Sequence, residues 1–349
     1  MEQQEKNQWW VFQGDGKVKT EAFKKLENTS PPWRRFESYE DDTGMWSDRK
    51  LARDQRRGQS FFLDPNDAAD TKIIDMVNAA LYLRRPLLVT GDTGIGKSSL
   101  AYSVAYELNL GSVLEWPITS HSTVRDGEYE YDPIERMREV TRDFPEKNAE
   151  KAKKDLDIGV YFRLRQLGTA FVNRDSKPRV VLIDELDKSD MDLPNNLLGI
   201  LEDGEFLIPE LARLGNDRPY DVFITGSNDR VPISGGVVRC RTFPFIIITS
   251  NGEREFPKPF LRRCIRLELQ KPSEDKLKKI VERHFKSSIN MQHEDIQKLI
   301  GKFFEYREKL PLATDQLLNA IHLYLKQDEK MHSDQRNVEE IIRDMYKPL

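Results

Sequence analysis

Gly91-Asp-Thr-Gly-Ile-Gly-Lys-Ser98 has glycines at its first, fourth and sixth positions and then Lys97 and Ser98, the spacing G-x-x-x-x-G-K-[ST]. A loop of this kind bends so that successive backbone N–H groups face phosphate oxygens at a helix N-terminus. A side chain at Gly94 or Gly96 would crowd that ligand. Lys97 supplies positive charge for the β and γ phosphates of a nucleoside triphosphate, and the Ser98 hydroxyl is the expected protein ligand of Mg2+. The phosphate cradle therefore comprises Gly91, Asp92, Thr93, Gly94, Ile95, Gly96, Lys97, Ser98 and Ser99.

Val180-Val-Leu-Ile-Asp-Glu185 supplies the complementary chemistry: four consecutive apolar residues read as a buried strand, and two carboxylates emerge at its C-terminal end. In an open α/β sheet, ligands sit at that end. Asp184 is placed to hold Mg2+, directly or through water, and Glu185 to polarise the attacking water as catalytic base. Phe245-Ile-Ile-Ile-Thr-Ser-Asn251 is a further buried strand ending in polar groups. The Asn251 amide can hydrogen-bond the γ-phosphate or the lytic water, although a turn former before Gly252 would look the same. Pro259-Phe-Leu-Arg-Arg263 places two guanidinium groups beside the next strand. Arg262 and Arg263 suit phosphate recognition in a neighbouring subunit's site, and each alone also suits a surface ion pair.

Flanking elements must hold these groups in place. Pro86 to Thr90 reads as a parallel strand entering the loop, and Ser99 to Leu108 as the helix leaving it. Asp70 to Leu83 is predicted helical, Val113 to Ile118 a strand, Pro133 to Val140 a helix, Tyr161 to Leu167 a resumed helix, and Ile265 to Leu269 a strand. Such alternation predicts an α/β fold with a parallel sheet flanked by helices. Tyr220 to Thr225 and Arg230 to Ser234 read as strands joined by a Gly-Ser-Asn-Asp turn. From Ser273, an N-cap, amphipathic segments at about 274–285, 294–308, 314–326 and 336–346 predict an all-α C-terminal domain. The head of the chain is irregular and aromatic, with Trp9-Trp-Val-Phe12 and Pro31-Pro-Trp-Arg-Arg-Phe36 suited to packing on the main domain or docking on a partner. The run Asp48 to Gly58, rich in both charge signs, reads as a solvated linker or helix face. The predicted organisation is a docking extension at 1–66, a nucleotide-binding α/β domain at 67–271 and a helical lid at 272–349.

With 33% charged residues and no apolar run near the roughly 18 residues of a membrane span, a soluble chain with no membrane partner is expected. Two cysteines, Cys240 and Cys264, without a C-x-x-C pair, and the absence of a leader before Trp9 point to a reducing, cytoplasmic address. A net charge of −4 argues against nucleic acid as the main partner, although a local basic patch remains compatible with it.

In their order along the chain, GDTGIGKS, VVLIDELDK, TSN and FLRR resemble an AAA+ ATPase, and Asp192 to Leu211, DLPNNLLGILEDGEFLIPEL, resembles the MoxR branch of that superfamily. The resemblance covers roughly residues 70–349. It implies a P-loop AAA+ core with a β-hairpin insertion and a C-terminal lid, ATP and Mg2+ as ligands, and a ring, usually a hexamer, with ATP bound between subunits. Arg263 is then the finger in trans, with Arg262 the alternate. It also implies a chaperone-like action on a protein client, a von Willebrand factor A domain protein as companion, and, through the tryptophan-rich head, a place in bacterial antiviral defence. In one respect the chain departs from the family: the stretch that should carry a lid arginine, Pro311 to Leu317, has none, and Gln316 stands nearest.

Two rival readings follow. A DNA-directed motor would use Arg213, Arg218, Arg230, Arg239 and Arg241 as a basic pore, and DNA would then stimulate hydrolysis. A nucleotide-gated scaffold with little turnover would have no use for Glu185.

Overall fold

The computed structural model describes residues 46–328, apart from 62, 65–66, 143–156, 174–176, 216–217, 286–289, 292 and 311. The aromatic head, most of the charged interval at 146–157 and the segment at 336–346 lie outside the described residues. Two compact units are distinguished: one contains Thr43–Gly91 and Lys97–Gln270, the other Asp92–Gly96 and the chain from Lys271.

In the larger unit, α1 (Trp46–Ser60) and α2 (Ala68–Leu83) precede β1 (Leu87–Thr90), and α3 (Lys97–Glu107) follows the glycine loop. α2 begins where the Asp67 side chain accepts the N–H groups of Ala69 and Asp70, and it buries Ile73, Val77 and Ala80 at helical spacing. It ends at Leu83, capped by Arg84 in the left-handed region at φ 51°, and Pro86 disfavours helical backbone at Arg85 beyond it. The chain continues through β2 (Leu114–Pro117), α4 (Val124–Glu128), β3 (Tyr129–Tyr131), α5 (Pro133–Arg142), β4 (Phe162–Leu164), α6 (Gln166–Phe171) and β5 (Val180–Asp184). After a 3-10 turn at Leu186–Lys188 come α7 (Asp192–Asp203), β6 (Glu205–Leu207), α8 (Pro209–Ala212), β7 (Tyr220–Ile224), β8 (Arg230–Ile233) and β9 (Val237–Arg239). β10 (Phe245–Ser250), α9 (Lys258–Arg263) and β11 (Ile265–Glu268) complete the unit.

Five strands form one sheet in the order β11-β1-β10-β5-β2. All its pairings are parallel, so the fold is the expected α/β arrangement with helices flanking a parallel sheet. Every residue of β10 is buried, which is the reason its sequence opens on the apolar run Phe245 to Ile248 before Thr249 and Ser250. Burial of each isoleucine there is worth about 1.5–3 kcal/mol. Register fixes the site: Thr90 pairs with Ser250 and Ile248 with Ile183, so the C-terminal ends of β1, β10 and β5 deliver Gly91, Asn251 and Asp184 to one edge.

A second sheet, β3-β4-β7-β8, stands apart from this layer, as does the two-stranded pair β6-β9. The expected strands at 220–225 and 230–234 are present as the antiparallel pair β7-β8. The helix expected from Tyr161 to Leu167 is not there. Phe162–Leu164 is a strand, antiparallel to β3 and parallel to β7, and helix starts only at Gln166. Phe162 and Leu164 point to the core with Arg163 between them, a two-residue alternation that overrides the helical spacing.

The run Asp48 to Gly58 belongs to a helix, and one face of it is not solvated. Asp54 is buried and accepts the Val113 N–H at 3.0 Å, and the Arg57 guanidinium lies 3.8 Å over the Tyr102 ring of α3. Gly58 permits this approach, since a Cβ there would meet the Tyr102 carbonyl oxygen at 2.4 Å.

The smaller unit contains α10 (Glu274–Phe285), α11 (Glu294–Lys309) and α12 (Thr314–Asp328). Leu277, Val281, Ile300, Phe303, Leu317 and Ile321 make its core. The Ser273 hydroxyl caps α10 by accepting the Lys276 N–H at 3.3 Å. No described helix is long and apolar enough to cross a membrane.

Candidate nucleotide site

The loop after β1 turns through left-handed glycine backbone at Gly91 (φ 141°), Gly94 (φ 75°) and Gly96 (φ 98°), conformations that cost little only without a Cβ. This bend delivers Lys97 and Ser98 to the first turn of α3, with Ser99 beside them. Lys97 is only 6% exposed, and its Nζ donates to the Gly91 carbonyl at 2.8 Å and to Asn251 Oδ1 at 2.7 Å. Both of these oxygens are neutral, so the two bonds hold the ammonium without neutralising it. Asp92, Thr93, Gly94 and Ile95 form the loop tip, which groups with the helical unit. There Lys271 pairs with Asp92 at 2.8 Å and the Thr314 N–H donates to the Gly94 carbonyl at 3.3 Å. The Gln316 side chain, nearest to the missing arginine, accepts the Ala313 N–H at 2.8 Å.

Ser98 Oγ donates to Asp184 Oδ1 at 2.7 Å, although 86 positions separate them in sequence. The Thr249 hydroxyl donates to the same oxygen at 2.7 Å and accepts the Glu185 N–H at 2.8 Å. Glu185 occupies left-handed backbone (φ 62°, ψ 50°). That conformation costs a non-glycine residue roughly 1–2 kcal/mol, and the bond to Thr249 is one of the contacts that hold it. Lys188 Nζ donates to Glu185 Oε2 at 2.6 Å, and this bond raises the Lys188 pKa above its ordinary value. Asp187 accepts the backbone N–H groups of Asn251 and Glu253.

A hydroxyl and a carboxyl oxygen at hydrogen-bond distance, both hard ligands, fit Mg2+, which takes few protein oxygens and keeps the rest of its sphere for water and phosphate. The left-handed loop with a buried lysine at its end fits the phosphates. Lys97, Ser98, Asp184 and Asn251 thus come together, with Glu185 next to Asp184 on the same turn.

Arg262 and Arg263 lie at the end of α9 and, among the described residues, form no hydrogen bond or ion pair with this group. Arg263 is tied to Glu202 of α7 and to the Pro259 carbonyl at 3.2 Å, and its bond holds the Glu202 carboxyl below the usual carboxylate range. The Arg262 side chain is exposed, and its carbonyl accepts from Arg85 Nη2 at 2.9 Å. Thr249, Asp187 and Lys188 were given no role by sequence reasoning, although all three lie inside the motifs that carried it.

The profile of the AAA domain, dynein-related subfamily, matches residues 86–264. That span is a little over half of the 349 residues, and the chain belongs to this family. It is accordingly a nucleotide-binding protein and an ATP hydrolase. No curated protein matches the chain. Among solved structures, a candidate ATPase from Cytophaga hutchinsonii is similar at 10% identity and a TM-score of 0.39, covering 86% of each chain. PCH-2 from C. elegans is similar at 15% identity and a TM-score of 0.42, over 83% of this chain and 72% of that one. A Thermotoga maritima RuvB mutant is similar at 17% identity and a TM-score of 0.33, over 64% of this chain and 52% of that one. The family assignment rests on the profile, not on these distant likenesses.

Proposed function

We propose that the chain is a MoxR-like AAA+ ATPase that works as a ring, a hexamer, and spends ATP on remodelling or activating a protein client. The observation that carries this reading is the chain of contacts Ser98–Asp184–Thr249–Glu185 beside Lys97–Asn251, built from three segments far apart in sequence. Ser98 and Asp184 would hold Mg2+, which supplies charge neutralisation on the phosphate oxygens when bound. Gly91 to Ser99 cradle the phosphates, Lys97 offsets their charge, Asn251 reads the terminal phosphate, and Glu185 takes the proton of the attacking water. Arg263 reaches the site of the next protomer in trans, with Arg262 as alternate.

In this reading residues 67–271 are the motor, 272–349 the lid, and 1–66 a docking extension. The client is a protein, with a von Willebrand factor A domain protein as companion, in a cytoplasmic antiviral defence setting. The DNA-motor reading is weakened by the pairing of Arg230 with Asp157 at 2.8 Å and of Arg239 with Glu205 at 2.5 Å. Such pairs leave less net positive charge for a phosphate backbone.

Complementation tests the proposal. Glu185→Gln and Arg263→Ala chains should each be inactive alone, and mixing them should restore phosphate release, because an intact site then meets an intact finger. No recovery on mixing, with both chains folded and assembled, would reject the trans assignment. Stimulation of the wild-type chain by DNA would favour the motor reading.

A further inference from the structure

Asp187 is 2% exposed, two residues from Glu185 in a turn that buries Leu186 with it and exposes Lys188. Its Oδ2 accepts two backbone donors from another segment, the Asn251 N–H at 2.8 Å and the Glu253 N–H at 3.1 Å. Its Oδ1 is buried and has no hydrogen-bond partner among the described residues. Burying a carboxyl half-satisfied is costly, and an apolar side chain would fill the same space more cheaply. What an apolar side chain would not do is hold those two amides.

The 3-10 turn Leu186–Lys188 springs directly from Glu185, so Asp187 and Glu185 share one short rigid element. The Asn251 side chain meets Lys97 Nζ at 2.7 Å, while its backbone is held by Asp187. Two further bonds close the same seam: Thr249 Oγ1 to Glu185 N–H at 2.8 Å, and Arg254 Nη1 to the Ser189 carbonyl at 3.0 Å. We propose that Asp187 is a positioning residue for hydrolysis, locking the backbone that presents Asn251 to the turn that presents Glu185, so that phosphate reader and base keep one fixed separation. This rests on the roles given above to Asn251 and Glu185.

The test compares Asp187→Ala, Asp187→Asn, Asn251→Ala and the double variant Asp187→Ala/Asn251→Ala, measuring kcat and the affinity for a fluorescent ATP analogue with Mg2+. Asn251→Ala and Asp187→Ala should each lower kcat on the order of 10–100-fold, with analogue affinity within about threefold of wild type. Asp187→Asn, which keeps an accepting oxygen, should stay within about threefold in kcat. Because both single changes break one device, the double variant should be no slower than the slower single. A side chain that matters only for stability would give multiplying losses, or losses shared equally between affinity and kcat, and either would overturn the proposal. An impaired Asn251→Ala beside a normal Asp187→Ala overturns the tie alone; a normal Asn251→Ala overturns the assignment of Asn251 and the tie with it. Should Asp187→Ala not fold, hydrogen exchange in the wild-type chain decides: slow exchange of the Asn251 and Glu253 amides supports the tie, and exchange at the rate of free loops removes it.

Discussion

The edge of the sheet at Lys97, Asp184 and Asn251 and the tip of α9 at Arg262 and Arg263 are built on opposite terms. At the sheet edge, polar groups are buried or half-buried and bonded to one another: Lys97 to Gly91 and Asn251, Asp184 to Ser98 and Thr249, and one oxygen of Asp187 to two amides. At the α9 tip, Arg262 is exposed and Arg263 is held by an ion pair whose partners are 34% and 51% exposed. Groups that must meet a ligand with no reorganisation are fixed inside a packed sheet, where each bond resists loosening. The groups proposed to serve a second protein surface stand in solvent, where contacts exchange cheaply.

Substitutions can break this contrast. Arg263→Ala should lower turnover on the order of 10³–10⁵-fold if it is the trans finger, with no change in Tm. A coupled loss of Tm would place Arg263 in the structural rather than the functional class. Lys97→Ala should abolish detectable binding of the ATP analogue as well as hydrolysis, because the loop then lacks its charge, and titration calorimetry would show it. Thr249→Val should lower kcat about tenfold and cost roughly 1–3 kcal/mol of stability, since it orphans the Glu185 N–H and removes a bond to Asp184. Denaturant melts read the second effect. Glu202→Gln should leave Tm where it is, as a solvent-exposed pair contributes little to stability; a clear fall in Tm would mean that the α9 tip is as tightly built as the sheet edge.

Most of the sheet edge was legible in the sequence because its residues sit in compact motifs whose spacing carries their purpose. Gly91 to Ser98, Asp184 and Glu185, and Asn251 all follow apolar runs that can only be buried strands. Thr249 and Asp187 were not legible as parts of the candidate site, since their partners are backbone amides and a carboxyl oxygen on segments about 64 positions away. A backbone donor leaves no mark in the sequence. Phe162–Leu164 was misread as helix because the span Tyr161 to Leu167 satisfies both periods, and pairing with β3 and β7 decides between them. Asp54 was hidden for another reason: in a run charged on every side, nothing singles out the one carboxyl that turns inward to the Val113 amide. The arginines of α9 were visible by type, but the action on a second copy proposed for them has no geometry within one chain.

The claim on which the rest depends is that Glu185 removes the proton from water at a site whose nucleotide grip it does not share. Incubating wild-type and Glu185→Gln chains with Mg2+ and ATP, removing free nucleotide by rapid gel filtration and identifying what stays bound tests it directly. Wild type should carry ADP, and Glu185→Gln should carry intact ATP in similar amount. ADP on both chains would contradict the assignment.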